Sequence, residues 1–248
     1  KSRTGRVDHH YRESVKMLEF GTPQFWVAAV EIILINIVLS GDNAVVIALA
    51  CRDLPPKQKK LGIFWGIFGA VILRVVLTYF AVGLLQLPWL KVIGGVLLFW
   101  IGIKLLVPEA DDGSEVAASE HLMGAIRTVI VADLVMSLDN VIGVAAAAKG
   151  SLVLLVFGLA VSIPLIVLAS QLIMKLMERY PIVVTLGAGL LGFVAGEMIV
   201  EDQLLHAWVE PYMPGLATIS GIAGAACVVA IGHVLARRSR GVVEREVL

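Results

Sequence analysis

Residues 25–51 read FWVAAVEIILINIVLSGDNAVVIALAC. No lysine or arginine interrupts the run. Coiled as a helix at about 1.5 Å per residue, it exceeds the roughly 30 Å hydrocarbon core of a bilayer. Yet it carries Glu31, Asn36, Ser40, Asp42 and Asn43. A segment this apolar that still holds several oxygen-bearing side chains suits a membrane helix packed inside a bundle or lining a cavity, not one facing lipid all round.

Six further apolar runs follow: Leu61–Leu87, Trp89–Val107, Leu122–Ala148, Ser151–Met177, Ile182–Val200 and Pro214–Ala236. Seven spans with short connections predict an all-α polytopic membrane protein, with no room for a soluble domain. Composition agrees. Hydrophobic residues make up 58% of the chain, against about 45–50% in ordinary soluble domains, and the mean hydropathy is +0.90. The formal net charge is zero, so total charge points to no partner, and nucleic acid is not expected. Cys51 and Cys227 read as small apolar residues near helix ends, not as a disulfide framework.

Residues 1–16, KSRTGRVDHHYRESVK, are polar and basic and precede the first methionine, Met17. They are expected to be a leader foreign to the native protein, with a genuine short basic tail as the alternative. Residues 17–236 then form one transmembrane domain, and 237–248 a basic cytoplasmic tail.

Lysine and arginine placement sets the orientation. Arg52, Lys57, Lys59 and Lys60 follow the first span, Lys175 and Arg179 flank the end of the fifth, and Arg237, Arg238, Arg240 and Arg245 fill the tail. All fall on one side, and the opposite side offers Lys91 and Lys149. The richer side is expected to be cytoplasmic, in a bacterial-type cell inner membrane, with the N-terminus outside and the C-terminus inside.

The chain repeats itself. N-I-V-L-S-G-D-N, Asn36 to Asn43, recurs 97 residues on as D-L-V-M-S-L-D-N, Asp133 to Asn140. P-W-L-K-V-I-G-G-V-L-L from Pro88 recurs at an offset of 93 as P-I-V-V-T-L-G-A-G-L-L from Pro181. Trp65-Gly66 matches Phe157-Gly158 more loosely. Each repeat holds an odd number of spans, so the second enters the membrane upside down. Two inverted three-helix repeats (about 25–107 and 122–200) plus an extra helix (about 214–236) are the ground plan of many secondary transporters, whose substrate site lies at the repeat interface.

Charged groups inside the bilayer are costly, about 2.5–3.5 kcal/mol each on insertion scales, so those present are candidates for function. They are Glu31, Asp42, Asp133 and Asp139, with Arg74 midway along the second span. Asn36, Ser40 and Asn43 stand at i, i+4 and i+7 on one stripe, and Asp133, Ser137 and Asn140 repeat it. Gly41 offers a place for a helix break, where the repeat has Leu138.

The donors are carboxylate, amide and hydroxyl oxygens, a set suited to Mg²⁺, Ca²⁺ or Mn²⁺. Four acids and one arginine sum to −3 if ionised, which a dry core does not hold without a cation or protons. Metal and protons would compete for the same carboxylates, giving cation/proton antiport. Arg74 is expected to be a counter-ion. The competing reading makes these polar groups simple glue between helices; the paired D-N motifs at equivalent positions favour function. Glu197, Glu201 and Asp202 read as a solvated helix end, and Glu109, Asp111, Asp112 and Glu115 as a solvated cytoplasmic loop. The small residues G-A-G-L-L-G and G-I-A-G-A-A in the sixth and seventh spans read as close helix packing.

The runs V-L-S-G-D-N-A-V-V-I-A-L-A from Val38 and A-D-L-V-M-S-L-D-N-V from Ala132 closely resemble the TerC family of membrane proteins, in its YjbE-type branch, near the LysE-type exporters. The resemblance covers the chain from about Met17 to the end of the seventh span. It implies manganese export, with metal supply to exported enzymes and tellurite resistance as further associations. It also implies that the family's acidic pair falls on Asp42 and Asp139, beside Asn43 and Asn140.

The expected function is therefore a membrane transporter exporting Mn²⁺ by antiport. A Ca²⁺ exporter, a metal-supplying membrane scaffold and a tellurite-resistance component are the alternatives. No G-x-x-x-x-G-K-[ST] motif is present, and nothing resembles H-E-x-x-H or a serine–histidine pair, so an enzyme is not expected. Nor is an organic cofactor; Mn²⁺ enters as substrate. Expected partners are the bilayer, a divalent cation and protons, then a second copy of the chain or proteins of the secretory pathway.

Overall fold

The computed structural model describes residues 23–38, 41–84, 87, 89–107, 115–148, 152–205, 213 and 215–246. Within them the main elements are eight α-helices: α1 Pro23–Val38, α2 Gly41–Cys51, α3 Pro56–Leu84, α4 Leu90–Lys104, α5 Glu115–Ala148, α6 Leu152–Arg179, α7 Ile182–Val200 and α8 Leu216–Glu246. No strand occurs among the described residues. Backbone N–H and C=O groups find no water in a bilayer, and a helix satisfies them internally.

Among the described residues, five helices are long and apolar enough to cross a membrane: Pro56–Thr78, Ser119–Leu138, Val156–Arg179, Ile182–Val200 and Leu216–Arg238. The sequence predicts seven, and the difference has two sources. The expected first span is two helices, α1 ending at Val38 and α2 starting at Gly41. Neither half is long enough alone: the 16 and 11 residues rise about 24 and 17 Å. The third span, α4, has 15 residues and rises about 22 Å.

Two polar regions are more helical than expected. The acidic connection is already helical from Glu115. The basic tail continues α8 to Glu246, through Gly241, because arginine and glutamate are good helix formers and no proline intervenes. Neither cysteine is in a disulfide: Cys51 is buried at the end of α2, while Cys227 is exposed in the middle of α8, away from either end.

Large apolar side chains cover the outside. On α3, Phe64, Phe68, Ile72, Val76 and Phe80 are all exposed, one stripe at helical spacing that suits lipid. The main core forms around α2, where Val46, Ile47, Ala48 and Leu49 meet Leu98 and Ile101 of α4, Val129 and Val135 of α5, and Leu191 and Ala195 of α7. A second cluster joins Phe25, Ala28, Ala29 and Ile32 of α1 to Leu159 of α6.

The helices pair as α1 with α6, α3 with α5, α4 with α7, and α7 with α8. Ion pairs fix directions at both ends. Lys59 near the start of α3 meets Glu178 near the end of α6 at 2.9 Å, and Lys91 at the start of α4 meets Glu201 just past α7 at 3.6 Å. Glycines permit the closest approaches. A Cβ at Gly192 would sit 2.6 Å from the Gly224 carbonyl, and one at Gly196 would strike the Ser220 carbonyl. The Ser220 hydroxyl donates to the Gly196 carbonyl at 2.9 Å, so α7 and α8 dock backbone to backbone as small residues allow.

Candidate functional site

Helix α2 begins at an exposed Gly41 and runs from there into the apolar core. Asp42 lies in the first turn of α2, and its carboxylate accepts the backbone N–H of Asn43 at 2.8 Å. A carboxylate there complements the partial positive charge of the helix end. The next residue, Asn43, points inward and is 5% exposed. Neither its amide nitrogen nor its amide oxygen has a hydrogen-bond partner. A buried unpaired polar group costs about 1–3 kcal/mol, so this orientation is one that packing alone would disfavour.

Asn43 faces a cavity of about 20 Å³, lined also by Arg74 and Asp133 and walled by Ile47, Ile67, Leu159 and Ile166. That volume suits one water molecule or one small ion. Among its lining residues the Arg74 Nη2 donates to Asp133 Oδ1 at 2.5 Å, and Arg74 Nε donates to Ser137 Oγ at 3.1 Å. Ser137 in turn donates to Asp133 Oδ2 at 3.2 Å. Arg74, Asp133 and Ser137 are 4%, 7% and 0% exposed. A buried charge persists only when paired in this way. Asp133 and Ser137 meet because they stand one turn apart on α5; α3 brings Arg74 across to them.

Of the residues singled out from sequence, the structure brings together Asn43, Arg74, Asp133 and Ser137. Asp42 is half-buried and within electrostatic reach of Arg74 and Asp133, although it does not line the cavity. Glu31 is exposed on α1 and is not brought in. Ser40 and the side chains of Asn36, Asp139 and Asn140 lie outside the described residues. Among the described residues, no three histidine, cysteine, aspartate or glutamate side chains cluster to hold a metal.

The walls contributed by α6, Leu159 and Ile166, were not singled out from sequence. The signal was present: the Gly66–Gly158 offset carries Ile67 onto Leu159 and Arg74 onto Ile166.

An all-helical, multi-pass integral membrane protein with a small, mainly apolar cavity that Asn43, Arg74 and Asp133 also line is the class that this fold and site define. Residues 21–240 match the family described as "Integral membrane protein TerC family", and the chain belongs to it. The "Uncharacterized membrane protein YjbE" of Bacillus subtilis (strain 168) is 44% identical over 196 residues, covering 77% of this chain and 89% of that protein. A second protein of that organism, "Uncharacterized membrane protein YceF", is 26% identical over 185 residues, 71% of this chain and 72% of its own. The "UPF0053 inner membrane protein YgdQ" of Escherichia coli (strain K12) is 25% identical over 202 residues, 74% of this chain and 84% of its own. No solved structure matches the chain.

Proposed function

We propose that the chain is a secondary transporter that exports a divalent cation, Mn²⁺, from the cytoplasm in exchange for protons. The observation that carries this reading is Asn43: a buried amide with no partner, facing an ion-sized cavity, next to the acid Asp42 at a helix break. An amide oxygen left without a donor is available to a cation. The C-terminal carbonyls of α1 and the carboxylates of Asp42 and Asp139 are hard donors of the kind Mn²⁺ takes. Asn140, Asn36 and Ser40 complete the proposed donor set.

Seven spans in two inverted repeats are part of the proposal, α1 and α2 together making the first. Their support is that contacts recur with partners exchanged. Gly66 packs on Val129, where a Cβ would lie 3.2 Å from the Val129 Cβ. Gly158 packs on Ile32 with a corresponding distance of 3.0 Å, and these residues are the repeat partners of the first pair. A Cβ at Gly95 would lie 2.8 Å from the Ala195 carbonyl, and one at Gly102 would lie 3.4 Å from that of Ala188. That is again the same contact with the repeats swapped. A two-fold axis in the membrane plane relates contacts in this manner, and the cavity wall holds Ile67 with its counterpart Leu159. The orientation proposed places the ends joined by Lys59 and Glu178 in the cytoplasm and those joined by Lys91 and Glu201 outside.

The test is cellular metal content. Cells without a manganese exporter receive the wild type, Asp42→Asn or Asp139→Asn, and manganese, calcium and zinc are measured after a load. The wild type should lower manganese alone, and both variants should fail while reaching the membrane. Lowered calcium would replace the substrate; no change in any cation would end the transporter reading.

A further inference from the structure

Two pairs of repeat partners line the cavity, one apolar on both sides and one that differs in charge. Ile67 and Leu159 are repeat partners, and so are Arg74 and Ile166; all four line it. Asp133 has Asn36 as its counterpart, and Ser137 has Ser40. One half of the interface therefore carries an arginine and an acid where the other half carries isoleucine and asparagine. Resting on the transporter reading above, we propose that Arg74 is a resident cation in the half-site of the second repeat. It holds Asp133, so that Asp133 anchors Arg74 and does not ligate the transported ion, which binds from the Asn43 side.

The geometry carries this. Asp133 is engaged through both oxygens, Oδ1 by Arg74 and Oδ2 by the Ser137 hydroxyl, which itself accepts from Arg74. Asn43, lining the same cavity, has neither amide atom engaged. A guanidinium cannot lose its proton in a protein, so its charge stays in the site while the transported ion comes and goes. Arg74 thereby takes one carboxylate out of the site's negative charge. The substrate class that follows is a single divalent ion, bound one per chain.

The experiment uses the full chain purified in detergent, as wild type, Arg74→Ile, Asp133→Asn and the double variant, which installs the other repeat's residues at both positions. Thermal unfolding and Mn²⁺ binding by titration calorimetry are read on each. Each single change should lower the unfolding temperature, and the double variant should recover most of that loss, as coupled partners do. The double variant should bind one Mn²⁺ within about threefold of wild type, while Arg74→Ile, with Asp133 released, should bind about tenfold tighter or more. Arg74→Gln serves for that arm where the isoleucine variant does not fold. A purely structural pair would leave the affinity unmoved in both arginine variants, and that result overturns the proposal. So does loss of binding in Asp133→Asn and the double variant together, which makes Asp133 a ligand, and so does strict additivity of the unfolding temperatures. If wild type itself binds no Mn²⁺, the transporter reading fails, while the thermal cycle still decides whether Arg74 and Asp133 are coupled.

Discussion

At the scale of single residues, Asn43 and Arg74 show opposite ways of keeping polarity inside a membrane protein. Arg74 is hydrogen-bonded to Asp133 and Ser137 of α5, and removing Arg74 leaves the Asp133 carboxylate without its counter-charge in a low-dielectric core, at a cost of about 3–5 kcal/mol. Asn43 forgoes stability, since its amide is buried without partners. Replacing it with leucine should therefore leave the unfolding temperature unchanged or raise it, by the equivalent of about 1 kcal/mol, while abolishing manganese export. Thermal unfolding and cellular metal content on the same preparation check both halves. An Asn43→Leu protein that still exports would remove the residue from the site. The stripe Asn36, Ser40, Asn43 was legible in the sequence because it needs only helical spacing. The engagement of Asp133 by Arg74 was not, since the two are 59 residues apart and meet only when α3 packs on α5.

At the scale of elements, boundaries were legible where apolarity and breakers coincide. Helix α7 runs over Ile182–Val200, the span read from sequence, because Pro181 opens it and polar residues close it. The first span, one run by hydropathy, is two helices, because hydropathy is blind to a break between two apolar halves; Gly41 was the one cue, and its lack of a side chain is a weak signal. Small residues were informative: Gly192, Gly196 and Gly224 sit where the backbones of α7 and α8 touch, while other glycines of these helices face side chains. They are not equivalent, and this can be tested within one helix. Gly196→Ala would drive a methyl group into the Ser220 carbonyl, whereas a Cβ at Gly189 would meet Val229 Cγ2 at an ordinary 3.4 Å. Overpacking of this kind costs about 1–3 kcal/mol. Gly196→Ala should lower the unfolding temperature clearly and Gly189→Ala should not. Equal tolerance of both would mean that α8 docks differently on α7.

At the scale of the whole molecule, the proposed inversion makes a claim about sides. The termini of α3 and α6 joined by Lys59 and Glu178, and those of α4 and α7 joined by Lys91 and Glu201, belong to opposite faces of the membrane. Basic residues crowd the first face. Arg52, His233 and Arg237 surround a recess of about 440 Å³ there, together with Pro181 at the start of α7, as the positive-inside rule expects of the cytoplasmic side. Lys57 and Glu201 are exposed, one near each face. In a chain with Cys51 and Cys227 changed to alanine, a single Glu201→Cys should react with a membrane-impermeant maleimide in intact spheroplasts. A single Lys57→Cys should react only once the membrane is opened. The reverse pattern would turn the protein over, making the same site an importer's entrance and not an exporter's. Labelling of both positions from one side would break the alternation of the helices. With it would go the two-fold axis that relates Gly66 on Val129 to Gly158 on Ile32, and the reason for reading the cavity as a site shared between two halves.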